Sequence, residues 1–151
     1  MSRRWNLQDL YNKKLDVDLK AGVATPKKGK YNNVKIENDG HKFDSRIESN
    51  FYNMLRLNSI EFTMKDVFIL QDKFRYMGEA IREVKIIPDF VIRKSGVIIA
   101  IVDTKGLQTD KSKLQFKLLK HHLIENQVPI FLPTNKAKCE EAIRKIVELT
   151  K

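Results

Sequence analysis

Residues 86–106 read "IIPDFVIRKSGVIIAIVDTKG". Two apolar runs flank the polar turn "KSG" (94–96), the pattern of two antiparallel strands joined by a hairpin. The second run, "VIIAIV" (97–102), is continuously apolar and mostly β-branched, which predicts a central strand covered on both faces. Yet acid stands in each: Asp89 in the first, Asp103 at the end of the second, with Lys105 two residues on. Burying charge is costly unless the charge is paired or holds a metal. On an extended chain Asp103 and Lys105 leave the same face, and the hairpin turn can bring Asp89 beside Asp103. Two carboxylates converging at a strand end make a hard-oxygen site suited to Mg²⁺ or Mn²⁺. A neighbouring lysine can neutralise a phosphate or steady a developing oxyanion. Metal and lysine together are the equipment for phosphodiester hydrolysis, because the metal lowers the pKa of a bound water and clamps the phosphate. The plainer alternative is a structural ion pair of Lys105 with Asp103 or Asp89. Pro88 weighs against it: Pro in a strand marks an edge or a bulge, and bulges often aim a side chain at an active site.

Outward from this stretch, "FDSRIESNFYNMLRLNSI" (43–60) predicts a helix, with Ile47, Phe51, Met54, Leu55 and Asn58 at helical spacing. Asp44 or Ser45 can cap it. "DVFILQDKFRYM" (66–77) and "AIREVKIIPDFVI" (80–92) predict adjacent strands of a hairpin about Gly78. After the loop "LQTDKS" comes a predicted helix over 113–126, with Leu114, Leu118, Leu119 and His122 on one side. A strand, "VPIFLP" (128–133), and an amphipathic helix over 136–151, apolar through Ala142, Ile143, Ile146 and Val147, complete the chain. Helix, three strands, helix, strand and helix predict an α/β domain with a mixed sheet.

The chain has 151 residues, 42% hydrophobic and 32% charged, with a formal net charge of +10. This is globular composition with a basic excess, and it makes a polyanion, nucleic acid first, the expected partner. No basic amphipathic helix with an aromatic face suggests a membrane surface, and the longest apolar run, 97–102, is too short to span one. The single Cys139 cannot form an intrachain disulfide and argues against a thiolate zinc site. With a first segment "MSRRWNLQDLYNKK" unlike a secretory signal, a reducing, cytoplasmic setting is expected. Residues 1–40 are expected to be a basic, partly flexible N-terminal arm and 41–151 the folded domain. In the arm, "TPKKGKYNN" (25–33) carries Lys27, Lys28 and Lys30; it is either a solvated tail or an arm that tracks phosphates.

"PD" at 88–89, thirteen residues, then "DTK" at 103–105 resembles the signature of the PD-(D/E)XK nuclease superfamily, which includes restriction endonucleases, Holliday-junction resolvases and transposon end-cleaving nucleases. The superfamily's α-β-β-β-α-β core, a restriction-endonuclease-like central mixed sheet flanked by helices, matches the element order from about residue 43 to 133. Here a C-terminal helix follows. "KYNN" (30–33), "DGHKFDSRIE" (39–48), "ILQDKF" (69–74), "IPDF" (87–90) and "VDTKG" (102–106) look like a small phage-encoded branch.

The resemblance implies metal-dependent DNA cleavage, with Asp89 and Asp103 as ligands of Mg²⁺ or Mn²⁺ and Lys105 positioning phosphate and attacking water. Glu48 matches the glutamate of the first core helix and would complete the metal site. Equally, Ser45-x-x-Glu48 is a capping box, Glu48 reaching back to the cap. The second acid is Asp where Glu is commoner, so its reach to a metal is shorter. Gln71 either lines the site or terminates a strand. Lys111, Lys113, Lys117 and Arg46 either contact phosphates or form a solvated face. His121 and His122 are adjacent, about 100° apart on a helix, and do not make a ligand pair. No Gly-rich phosphate loop is present. A branched duplex such as a Holliday junction is an expected substrate and a homodimer the expected assembly, since cutting both strands calls for two sites. Rival expectations are a catalytically inactive DNA-binding or assembly module on the same fold, and the cleavage subunit of a transposase-like complex.

Overall fold

Residues 35–104 and 108–151 are described by a computed structural model. They open with a hairpin, β1 (Ile36–Asn38) and β2 (His41–Phe43), so the first paired strand lies within the segment assigned above to the arm. Lys27, Lys28, Lys30 and Lys105 lie outside the described residues.

Ser45 starts the first helix, α1 (Arg46–Leu57): its backbone is extended and its hydroxyl accepts the Glu48 N–H, satisfying a donor that the first helical turn cannot. Asn58 caps the other end. Phe51 and Leu55 are fully buried and Ile47 and Met54 partly so, as the spacing predicts, while Asn58 is exposed.

Seven strands follow: β3 (Glu61–Met64), β4 (Phe68–Gln71), β5 (Phe74–Tyr76), β6 (Glu79–Ile81), β7 (Val84–Ile86), β8 (Phe90–Lys94) and β9 (Val97–Val102). Then come α2 (Asp110–His122), β10 (Ile130–Phe131) and α3 (Lys136–Thr150). The central sheet has the order β10-β9-β8-β3, with β10 parallel to β9 and the other pairs antiparallel. It is a mixed sheet, as predicted.

The strand assignment for 66–92 needs correction. The stretch is not one long hairpin: β4 pairs with β7 across a bulge between Ile69 and Gln71, and β5 pairs with β6 about Met77 and Gly78. Both are separate two-stranded sheets. The neighbour of β8 is instead β3, "EFTM", which falls between the predicted helix and the predicted strands. Four residues of half-buried alternation are too short a signal beside the helix before them. The longer run is punctuated by Asp72, Gly78 and Pro88, the last without an N–H for a ladder.

The β8–β9 turn follows the prediction. Ser95 (φ 50°) and Gly96 (φ 78°) both take left-handed backbone. This is the two-residue geometry whose twist suits a hairpin. Arg93 holds the strands together, donating to Asp66 at 2.9 Å, to Thr63 at 3.3 Å and to the Gly96 carbonyl at 3.0 Å.

Helices cover both faces. Phe90, Ile92, Ala100 and Val102 pack with Phe51, Leu55, Ala142, Ile143 and Ile146 of α1 and α3, together with the buried Cys139. Ile101 faces the other way, onto Phe116, Leu119 and Leu123. This double coverage explains the unbroken apolar run of β9. The buried stripe on α2 follows the prediction at Leu119 and departs from it elsewhere: Phe116 joins Leu119, with Leu123 at the cap, whereas Leu114 is 57% and Leu118 37% exposed and His122 is exposed. The mixture of leucines around α2 offered two stripes, and the sheet selected the one holding Phe116. No helix among the described residues is long and apolar enough to cross a membrane.

Candidate active site

The last paired register of the β8–β9 hairpin is Phe90 with Val102, so Asp89 and Asp103 stand opposite each other one step beyond it. Both are buried, with 5% and 1% of their surface exposed. Asp89 is held from two sides. Its Oδ2 accepts both the Thr104 N–H and the Thr104 hydroxyl at 2.8 Å, and its Oδ1 accepts from the Lys65 ammonium at 2.6 Å.

Glu48 reaches the same place from the first turn of α1 and is 3% exposed. Its Oε2 accepts the Asp44 N–H at 2.9 Å, one residue further back than the predicted box, while Ser45 Oγ accepts the Glu48 N–H at 3.2 Å. Its Oε1 lies 2.6 Å from Lys65 Nζ. One oxygen of Glu48 therefore ties down the helix start, and the other faces the Lys65 ammonium that it shares with Asp89.

Lys65 is the member that sequence reasoning missed. It follows β3 with left-handed backbone (φ 56°), and its N–H donates to the Asp89 carbonyl at 3.3 Å. No local pattern marks it, because its position depends on β3 lying beside β8. Thr104, the middle residue of "DTK", is also absent from the predicted set, though it donates twice to Asp89.

Burial alone would raise the Asp89 pKa, but the Lys65 ammonium and the two Thr104 donors outweigh it and hold the carboxyl below its ordinary value. Burial likewise pulls Lys65 down, and Asp89 and Glu48 more than reverse that, leaving it well above the ordinary lysine value. Stability should follow. Asp89 is more acidic folded than unfolded, so its contribution is complete above the ordinary value of 3.8 and is lost as pH falls through the lower folded value. The Lys65 contribution is complete below the ordinary 10.5 and is lost at still higher pH. Thermal melts from neutral pH down to well below the ordinary carboxyl value should therefore show less acid destabilisation for Asp89→Asn than for wild type; superimposable pH dependences would contradict this linkage.

Among the described residues no group of three or more His, Cys, Asp or Glu is gathered to hold a metal. Glu48 and Asp89 nevertheless fit a hard divalent cation: each places one oxygen 2.6 Å from a single point, the Lys65 nitrogen. Mg²⁺ is commonly bound by just one or two carboxylates, with water and substrate phosphate completing an octahedron.

The remaining predicted residues are dispersed. Arg46 is exposed on α1, two residues before Glu48. Gln71 ends β4 and is exposed, in keeping with a strand terminus. Lys111, Lys113 and Lys117 are exposed on α2, where Lys113 lies 3.7 Å from Asp110. A hollow of about 950 Å³ runs beside β3 past His41, Tyr52, Phe62 and Asp66 and does not include Glu48, Asp89 or Asp103. The buried acids are the better marker of a site, since an extended polyanion needs no enclosed pocket.

A family model described as "Protein of unknown function (DUF1064)" matches residues 28–138. No curated protein and no solved structure matches the chain.

Proposed function

The chain belongs to the DUF1064 family of proteins of unknown function, and on that premise we propose, from its own site chemistry, that it is a metal-dependent DNA endonuclease. The observation that carries this reading is the convergence of two buried carboxylates, Glu48 and Asp89, on one cation position at the end of the β8–β9 hairpin. Asp103 stands across from Asp89. The net charge of +10 supplies attraction for a phosphate backbone. A mixed central sheet of β3, β8, β9 and β10, with α1 before it and α2 between β9 and β10, supports the reading, although the four strands β4–β7 intervene between β3 and β8.

In this reading Asp89 and Glu48 would hold Mg²⁺ or Mn²⁺, with Asp103 as a further ligand from across the hairpin end. The bound metal supplies Lewis-acid polarisation of the phosphate. Thr104 keeps Asp89 in one orientation, Asp44 does the same for Glu48, and Lys105 positions the phosphate and the attacking water. Arg46, Lys111, Lys113 and Lys117 offer exposed cations to flanking phosphates, with Lys27, Lys28 and Lys30 adding to them. The substrate is DNA, in branched form such as a Holliday junction, within phage DNA metabolism in a host cytoplasm, and the chain acts as a homodimer.

The test is a cleavage panel of plasmid, four-way junction and single-stranded DNA with Mg²⁺, Mn²⁺ or EDTA, with light scattering for the assembly. Metal-dependent nicking or junction resolution supports the proposal, and intact DNA under every condition sinks it. One observation favours a second reading: Lys65 already neutralises Glu48 and Asp89, as it would in an inactive DNA-binding module on the same fold. That module would bind DNA and leave it uncut.

A further inference from the structure

Lys65 has a geometry that no strand or helix requires. Its ammonium touches Glu48 Oε1 and Asp89 Oδ1, both at 2.6 Å. Its backbone is left-handed at φ 56°. That conformation is disfavoured for a residue with a side chain and is concentrated at functional sites. The Asp89 carbonyl accepts its N–H at 3.3 Å, so main chain and side chain both engage Asp89. The two carboxylates are almost fully covered, at 4% and 7% side-chain exposure, whereas the lysine side chain is 44% exposed. The acids are fixed and the cation has a way out.

We infer that Lys65 is the built-in occupant of the divalent-cation position, neutralising Glu48 and Asp89 in the metal-free protein and giving way when metal binds. The inference rests on the metal-dependent reading of this site. Its physical basis is exclusion. Mg²⁺ bonds carboxylate oxygen at about 2.0–2.1 Å, so an ion bridging these two oxygens would stand almost where the nitrogen now stands. Two positive centres cannot share that point. Buried acids without any cation would also be costly to fold, so a tethered ammonium lets the site form before metal arrives. The same tether then competes with the metal and weakens its binding.

Two measurements on the full chain test this. Mn²⁺ titration followed by electron paramagnetic resonance should show Lys65→Met binding Mn²⁺ about tenfold more tightly than wild type, a change within the range known for groups surrounding metal ligands. Asp89→Asn should lose the site. In the wild type, covalent labelling of amines read by mass spectrometry should rise several-fold at Lys65 when Mn²⁺ is added, because the ammonium leaves its carboxylates. The labelling needs no variant, so it holds even if Lys65→Met folds poorly. Equal or weaker Mn²⁺ binding by Lys65→Met, or Lys65 labelling unchanged by saturating Mn²⁺, overturns the inference. If no Mn²⁺ binds at all, the inference and the nuclease reading fall together. If Mn²⁺ binds and Lys65 does not respond, only the inference falls. If Lys65 responds and DNA is never cut, the displacement stands and the nuclease reading falls.

Discussion

Asp89→Asn should reduce Mg²⁺-dependent DNA cleavage by about a thousandfold. A metal ion acting as a Lewis acid contributes several kcal/mol to the transition state, and about 1.4 kcal/mol is a factor of ten. The amide is nearly isosteric and can still accept from Thr104 through its oxygen, so the hairpin end keeps its shape. What is lost is the negative charge that faces Lys65 at 2.6 Å and would face the metal. Asp103→Asn should behave similarly, because Asp103 is 1% exposed and sits at the adjoining strand end. Glu48→Gln should cost less, since one of its two oxygens is already committed to the Asp44 N–H. Nicking rates on supercoiled plasmid, with circular dichroism as the check on folding, measure all three. Asp89→Asn cutting at the wild-type rate would show that the carboxylate does no chemistry, leaving the cluster as a structural ion pair.

The sequence carried most of this site and the sheet that holds it, for identifiable reasons. The β9 run announced its double burial because an unbroken β-branched stretch has no other comfortable place. Ser45 and Glu48 announced the helix start because capping needs those residue types at that spacing. Asp89 and Asp103 could be placed near one another from the hairpin, but the turn alone, pairing Lys94 with Val97, would set Asp89 opposite Val102; a register shift between Ile92 and Arg93 brings it to Asp103. Lys65 could not be found in this way. Its neighbours in space, Glu48 and Asp89, lie far from it along the chain on either side, and its own conformation is one that local propensity disfavours. It comes to the site only once β3 pairs with β8, and β3 itself is too short to read. The stretch between them, 65–89, misleads for a related reason: its apolar residues are shared among two small sheets, an exposed turn at Met77–Gly78 and irregular links rather than one long hairpin. Exposed Val67, Phe74, Tyr76 and Met77 supply strand signal without a core to match it.

Phe90→Ala should lower the stability of the folded unit by about 3–5 kcal/mol, the usual cost of emptying a buried aromatic position. Phe90 is completely buried, with its ring 5.5 Å from that of Phe51 on α1 and 5.9 Å from that of Phe62 on β3. It therefore joins the helix that carries Glu48 to the strand that precedes Lys65, while its own backbone continues directly from Asp89. Alanine would leave a cavity that three elements would have to close together, and each is anchored elsewhere: α1 by its cap, β3 through Arg93 and Asp66, β8 by its ladder with β9. Against a total of about 5–15 kcal/mol for an ordinary domain, such a loss removes much of the margin. Urea denaturation should show a lower midpoint with an unchanged slope. Leu57→Ala is the matching control, an apolar truncation on the same helix as Phe51 at a residue 84% exposed. It should stay within about 0.5 kcal/mol of wild type. If Phe90→Ala were as mild as Leu57→Ala, the aromatic contact would not be what sets the spacing between α1 and the sheet. The rigid placement of Glu48 against Asp89 would then have to come from the Lys65 ion pairs alone.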